Sequence, residues 1–86
     1  MVDGKDEEKV EEALRIFKRT IEQMDLEGWV KRMVVKSREE RVVNVDVEVD
    51  GRYARLAANI IGRAVFNALI YTGVHIKPEI KAVKGG

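Results

Sequence analysis

The chain has 86 residues, of which 45% are apolar and 36% are charged, and its formal net charge is +1. This composition is too apolar for an intrinsically disordered protein, and the near balance of charges argues against a nucleic-acid binder held by bulk charge. The length fits one small domain. Because such a domain buries only about 60 to 65% of the surface of its unfolded chain, association with another chain would help to stabilise it.

Targeting and redox features are few. No apolar run reaches the roughly 20 residues that a transmembrane helix needs, and the acidic start MVDGKDEEK lacks the pattern of a signal peptide. We therefore expect a cytoplasmic protein. The absence of cysteine excludes disulfides and thiolate metal sites. Many lysine, arginine and glutamate residues with a single proline are typical of a heat-stable protein and equally of a designed one.

The first predicted element is a helix that starts near Asp6, a suitable N-cap, and stops near Gly28, which adopts the left-handed conformation without strain. Its apolar residues follow the spacing i, i+3, i+4, i+7 and are Val10, Ala13, Leu14, Phe17, Ile21 and Met24. One narrow apolar stripe predicts an amphipathic helix that covers a sheet.

Two strands are predicted next. Residues 29–36 are rich in β-prone side chains, and residues 42–50 alternate strictly, with Val43, Val45, Val47 and Val49 on one face and Asn44, Asp46, Glu48 and Asp50 on the other. The polar segment SREER between them, with Ser37 in the loop, predicts a hairpin whose turn type and register stay open. If Trp29, Met33 and Val35 face inward with the valines, Arg32 and Lys36 lie beside the acidic row.

The stretch from Gly51 to Thr72 reads as one helix that is apolar on more than one side, and Gly73 is expected to end it. Its core stripe is predicted to be Ala57, Ile60, Ile61, Ala64, Val65, Ala68 and Leu69. Leu56, Phe66 and Ile70 lie on another side, which needs a partner. Gly62 costs about 1 kcal/mol relative to alanine in a helix. It indicates either close approach of a second copy or a tight contact within the chain. We predict an association interface at Leu56, Gly62, Phe66 and Ile70.

A third strand follows Gly73, because Val74, Ile76, Ile80 and Ala82 alternate with polar residues, and Pro78 indicates that this strand lies at an edge or is bulged. The order helix-strand-strand-helix-strand predicts an α+β two-layer sandwich. Its three-stranded sheet, antiparallel or mixed, carries both helices on one face, like a ferredoxin-like unit that lacks its first strand. We expect residues 1–86 to form a single domain with loose ends at 1–5 and 84–86.

Residues that could carry catalysis are sparse. His75 is the only histidine and Ser37 the only serine, so no nucleophilic triad can be assembled. The alternating acids Asp46, Glu48 and Asp50 are typical of an exposed strand face that pairs with neighbouring lysines and arginines. We expect a protein that is not an enzyme and that has no metal site and no cofactor.

Polar residues form a narrow arc at the start of the second predicted helix: Arg52, Arg55, Asn59 and Arg63. Arg38 and Arg41 of the hairpin could extend this arc into a basic surface. The spacing Asp50, Arg55, Asn59, Arg63 at a strand-to-helix junction resembles that of the small dimerising subunit of the KEOPS complex, which makes threonylcarbamoyl-adenosine in tRNA. The resemblance covers residues 7–72. It implies a non-enzymatic subunit that pairs through its helices and sheet, contacts a kinase-like catalytic subunit, and uses Arg55 and Arg63 to contact tRNA.

Two hypotheses follow. The first is a non-catalytic α+β association module that pairs with itself or with a paralogous subunit, as a KEOPS-like accessory subunit contacting tRNA would. The alternative is a designed or redesigned α+β protein without natural activity, which the regular first helix and the strict valine alternation favour. Gly62, His75 and Pro78 are irregularities that argue against a fully idealised sequence.

Overall fold

The computed structural model describes residues 4–84, which form two helices and three strands. The elements are α1 (Gly4–Met24), β1 (Val30–Glu39), β2 (Val42–Asp50), α2 (Ala54–Thr72) and β3 (His75–Val83). The predicted α+β class and the predicted element order are confirmed. The expectation of loose ends falls partly on residues 1–3 and 85–86, which lie outside the described residues. Of the others, Gly4 and Lys5 belong to α1, and Lys84 follows the end of β3 without regular secondary structure.

The sheet is mixed, with β2 in the centre, β1 antiparallel to it and β3 parallel to it. Because β2 and β3 are hydrogen-bonded neighbours, the place between them that the first strand of a ferredoxin-like unit would occupy is closed. Pro78 lies in β3, an edge strand, as predicted. An edge tolerates the missing backbone N–H of a proline.

The register of the hairpin places Met33 opposite Val47 and Val35 opposite Val45, so both face inward with the valines. Arg32 lies opposite Glu48 on the face turned away from the helices. The register shifts twice, between Val30 and Arg32 and between Val35 and Ser37. Each shift is a local irregularity of the kind that bends a strand and leaves a residue without a direct partner.

The hairpin turn is shorter than predicted. Ser37 does not lie in a loop but within β1, where its hydroxyl accepts a hydrogen bond of 2.8 Å from Asn44 Nδ2. The turn itself consists of Glu40 and Arg41. Glu40 has a φ of +40°, the left-handed backbone that a tight connection between antiparallel strands requires.

Helix α1 starts and ends earlier than predicted. It begins at Gly4, so Asp6 lies within its first turn instead of capping it, and it ends at Met24. The Asp25 carboxylate stops the helix by accepting hydrogen bonds from the backbone N–H groups of Trp29, at 2.7 Å, and Val30, at 2.9 Å. Met24, predicted in the core, is 41% exposed because it lies at this end. Gly28 does adopt a positive φ, of +74°, but in the turn that follows.

The core lies between the helices and the inner face of the sheet. Its buried members come from α1, β2 and α2 and from the start of β3 with the residue before it: Val10, Ala13, Phe17, Ile21, Val43, Val45, Val47, Val49, Ala57, Ile60, Ile61, Ala64, Ala68, Val74 and Ile76. Strand β1 contributes only the partly buried Val30 and Met33, which pack against this cluster. Both helices contribute to this one cluster, as predicted for a two-layer sandwich. Phe17 is among the largest fully buried side chains and is 1% exposed.

Phe17→Ala should lower the free energy of unfolding by about 3 to 5 kcal/mol, because it removes a fully buried ring and leaves a cavity between α1 and the valine row. Urea unfolding followed by circular dichroism measures the change. Leu26→Ala is the matched control, since Leu26 is 86% exposed in the turn after α1. That control should change the stability by less than about 0.5 kcal/mol. Equal losses in the two variants would contradict this description of the core.

Candidate functional site

The side of α2 that faces away from the core exposes a group of large apolar side chains around one glycine. We call this group the α2 outer face; its members are Leu56, Gly62, Phe66, Leu69 and Ile70. The four large side chains are between 42% and 60% exposed. Leu69, predicted in the core, belongs to this surface instead.

The opposite side of α2 is buried and is made largely of small residues. Ala57, Ala64 and Ala68 have no exposed surface, which lets the helix approach the rest of the core closely. A helix at the surface of a monomeric protein normally carries polar residues on its outer side. The C-terminal half of α2 is apolar on both sides, so its outer side is an exposed apolar surface.

Gly62 has no explanation within the described part of the chain. A Cβ atom built at this position would meet nothing within 4 Å, and the residue is exposed. A tight contact inside the chain, one of the two interpretations of this glycine, is therefore wrong for residues 4–84. The helix bears the roughly 1 kcal/mol cost of a glycine with no packing in return.

Arg52 is held apart from the other polar residues of α2. The helix predicted from Gly51 begins only at Ala54, because the Asp50 carboxylate accepts a hydrogen bond of 3.0 Å from the Arg52 N–H and closes a short 3-10 turn. The same carboxylate binds the Arg52 guanidinium through Nε at 3.2 Å and Nη2 at 2.9 Å. The Arg52 guanidinium also lies 5.7 Å from the Tyr53 ring centre. Its charge is already compensated.

The Asp50 side chain was predicted on the solvent-exposed face of β2, but it is only 4% exposed. Its partner Arg52 lowers the pKa of this carboxyl below the usual range, first through the side-chain hydrogen bonds and then through the backbone N–H. The aromatic stack of Trp29 on Tyr53, with ring centres 5.2 Å apart, lies at the same end of the sheet. Asp50 therefore fixes the short turn that leads from β2 into α2.

The hairpin arginines do not extend a free basic surface, because α1 supplies acids to both of them. Arg38 donates to the Glu11 carboxylate, and Arg41 Nε lies 3.3 Å from Asp6 Oδ1. The polar end of α2 is thereby reduced to three exposed residues, Arg55, Asn59 and Arg63. The side chains of these three residues form no hydrogen bond or ion pair with another described residue. The two arginines are about 12 Å apart along the helix.

The remaining candidate residues lie on the face of the sheet away from the helices. His75 is exposed there, and the described residues contain no group of three potential metal ligands. Asp46 lies between two lysines, with Lys81 Nζ at 3.1 Å and Lys36 Nζ at 3.5 Å. The hydrogen bond from Lys81 is the main cause that lowers the Asp46 pKa. On this face of the sheet, Asp46 of β2 is thus paired across the strands with lysines of β1 and β3.

Sequence reasoning missed Leu69 as a surface residue, although a signal was present. Leu69 follows Gly62 by seven residues, so the two positions lie only about 20° apart around the helix. A glycine that packs against nothing in its own chain marks the direction of an outer surface. Leu69 points in nearly the same direction as Gly62 and therefore belongs to the same outer surface.

Comparisons with known protein families, curated proteins and solved structures find no match for this chain. Neither helix among residues 4–84 combines the length and apolarity needed to cross a bilayer. Function is therefore inferred from the geometry of the α2 outer face and its polar end.

Asp50→Asn should remove part of the acid dependence of stability. Because the folded-state pKa of Asp50 is lowered, its contribution is present above the ordinary aspartate pKa of 3.8 and is lost as the pH falls through the lower folded-state value. Thermal unfolding between about pH 2 and pH 6 measures this loss, and the variant should show a shallower decline than the parent. Glu12→Gln, which removes an exposed carboxylate paired with Arg15, is the control. An unchanged slope in Asp50→Asn would contradict the assignment.

Proposed function

We propose that the chain is a non-catalytic association module that pairs with a second copy of itself through the α2 outer face. The observation that carries the proposal is the apolar surface around Gly62, where Phe66 and Ile70 are 58% and 60% exposed and a Cβ on the glycine would meet nothing. An exposed apolar surface beside a position where backbones can approach closely suits helix-on-helix packing.

The register of the pair follows from the spacing along α2. Gly62, Phe66 and Ile70 are four residues apart and form one ridge of the helix surface. In an antiparallel pair centred on Phe66, Ile70 of each copy lies level with Gly62 of the other. The missing side chain of Gly62 leaves room for Ile70 of the second copy. The two Phe66 rings meet at the two-fold axis, as the self-complementary interface of a symmetric dimer requires.

The polar end of α2 fits the same arrangement. The last turn of α2 has no basic residue of its own, and its final carbonyl groups carry the partial negative charge of the helix dipole. In the antiparallel pair, Asn59 lies level with Gly73 of the second copy, and Arg55 lies just beyond that helix end. The two Arg63 side chains are separated by about 9 Å along the helix axes. The interface is thus apolar at its centre and polar at its rim.

Gly62→Leu should separate folding from association. Leucine is the better helix former by nearly 1 kcal/mol, and the space around position 62 is open, so the folded chain becomes more stable. The same side chain occupies the space intended for Ile70 of the second copy and should weaken self-association at least about tenfold. Sedimentation velocity measures association, and urea unfolding measures stability. Arg19→Leu is the matched control, because it introduces the same side chain at an exposed position of α1. It should leave self-association unchanged.

A compensating pair of changes tests the register. In the double variant Gly62→Leu with Ile70→Ala, the leucine of each copy faces an alanine of the other, so association should return to within about threefold of the parent. If Gly62→Leu alone leaves association unchanged, the α2 outer face is not the interface. If the double variant associates no better than Gly62→Leu, the centring on Phe66 is wrong.

Contact with tRNA is a second candidate function, which the KEOPS resemblance implies and which the exposure of Arg55 and Arg63 favours. Replacing either arginine by alanine should weaken tRNA binding and lower the salt dependence of log K by about one unit of slope. Arg52→Ala is the control, because Asp50 already compensates that charge. Absence of tRNA binding by the parent at low salt would remove this function. A parent that also stays monomeric would favour the designed protein without natural activity.

A further inference from the structure

A groove runs between α1 and β1 on the inner face of the sheet. Its volume is about 580 Å³, and apolar side chains from the helix and the sheet line it: Leu14, Phe17, Ile21, Met33, Val35 and Val45. Phe17 and Val45 form its buried floor, whereas Met33 is only half-buried and Val35 is 39% exposed. The inner face of β1 is therefore incompletely covered by α1.

The outer edge of β1 borders this groove and has no strand beside it among the described residues. Between the two register shifts, residues 32–35 pair in order with residues 45–48 of β2 and form a regular run. A regular edge offers backbone N–H and C=O groups to an added strand, and an apolar groove beside it accepts every second side chain of that strand. The edge has room for a segment of about four residues.

The charges on the face away from the helices select the chemistry of the added strand. On that face Arg32 and Lys36 of β1 lie beside the acids of β2, with Arg32 opposite Glu48 and Lys36 Nζ 3.5 Å from Asp46 Oδ2. Asp46 lies closer to Lys81 than to Lys36, and the Lys36 side chain is 56% exposed, so a strand on the other side of β1 still meets this cation as well as the exposed Arg32. Acidic residues on its outward face would repeat the cross-strand pairing that β2 already makes.

The same charges disfavour a second copy of β1. An antiparallel pair of β1 strands centred on Val34 would put Arg32 of each copy opposite Lys36 of the other, and like charges directly opposite are destabilising. The α1 side of the groove carries Lys18 together with Glu22 and Asp25, and the Asp25 carboxylate already binds two backbone N–H groups. Because Arg32 and Lys36 lie on the outward face and the floor of the groove is apolar, acids of a partner belong on the outward face and its apolar residues belong in the groove.

We propose that the β1 edge binds an extended segment of another protein in which apolar and acidic residues alternate. Its backbone pairs with residues 32–35, its apolar side chains enter the groove between α1 and β1, and its carboxylates meet Arg32 and Lys36. The site lies on different elements from the α2 outer face, so it goes beyond the proposed self-association and does not depend on it.

The test is a titration of the ¹⁵N-labelled protein with the capped peptide VDVEVD, which repeats residues 45–50 of β2. At about 1 mM peptide and low salt, the backbone amides of residues 32–35 should shift and become protected from hydrogen exchange. Raising the salt to about 0.5 M should weaken binding several-fold. The peptide VKVKVK, with the same alternation and the opposite charge, should not bind.

Paired charge reversals locate the binding site. Arg32→Glu with Lys36→Glu should weaken peptide binding at least about tenfold. Lys77→Glu with Lys84→Glu makes the same change in net charge at and beyond the other edge strand, and it should alter binding less than about twofold. Dispersed amide spectra confirm that each variant is folded. The Gly62→Leu variant should bind the peptide as the parent does, which separates this site from the α2 outer face.

Four results of the peptide titrations would overturn the proposal. They are no amide shift in residues 32–35 at about 1 mM peptide, equal binding of VKVKVK, shifts confined to β3, and equal weakening by the two charge reversals. Protection of the β1 edge by self-association of the free protein would also overturn it, because a second copy would then be the occupant.

Discussion

The packing of the valine row on β2 is the constraint on which the rest of the structure depends. Val43, Val45, Val47 and Val49 are each at most 2% exposed, and helices and strands contribute to the core around them. Among residues 4–84, only β2 has a neighbouring strand on both edges. The outer side of α2 and the inner side of β1 remain partly apolar, because the elements of this small chain do not suffice to cover them.

The position of α2 explains why its outer side exposes more large apolar side chains than the inner face of β1 does. This helix connects the parallel strands β2 and β3 and packs against α1, so its alanine-rich side is buried in the core. Leu56, Phe66, Leu69 and Ile70 are left outside, on a helix that also bears an unexplained glycine. Our proposal of a helix pair accounts for both features together, since a close approach at Gly62 is what allows these side chains to be buried.

The sequence was most informative where one period governs an element. Strict alternation predicted the bounds of β2 in full, because Val43, Val45, Val47 and Val49 all face the core. Prediction failed where a single side chain decided a boundary: the Asp25 carboxylate ends α1 before Gly28, and the Asp50 carboxylate delays α2 beyond Arg52. The groove beside β1 was not predicted, since it depends on how much of β1 is covered by α1. Periodicity assigns a residue to a side of an element, whereas pairing and coverage are properties of the assembled fold.

The central claim is that the folded chain is incomplete as a monomer and pairs with a second copy. Sedimentation equilibrium of the unaltered protein between about 1 and 200 µM tests it most directly, because the measured mass does not depend on molecular shape. The account predicts a mass that rises with concentration from that of the 9.8 kDa chain towards twice that value. A mass that stays at the monomer value throughout the range would contradict it.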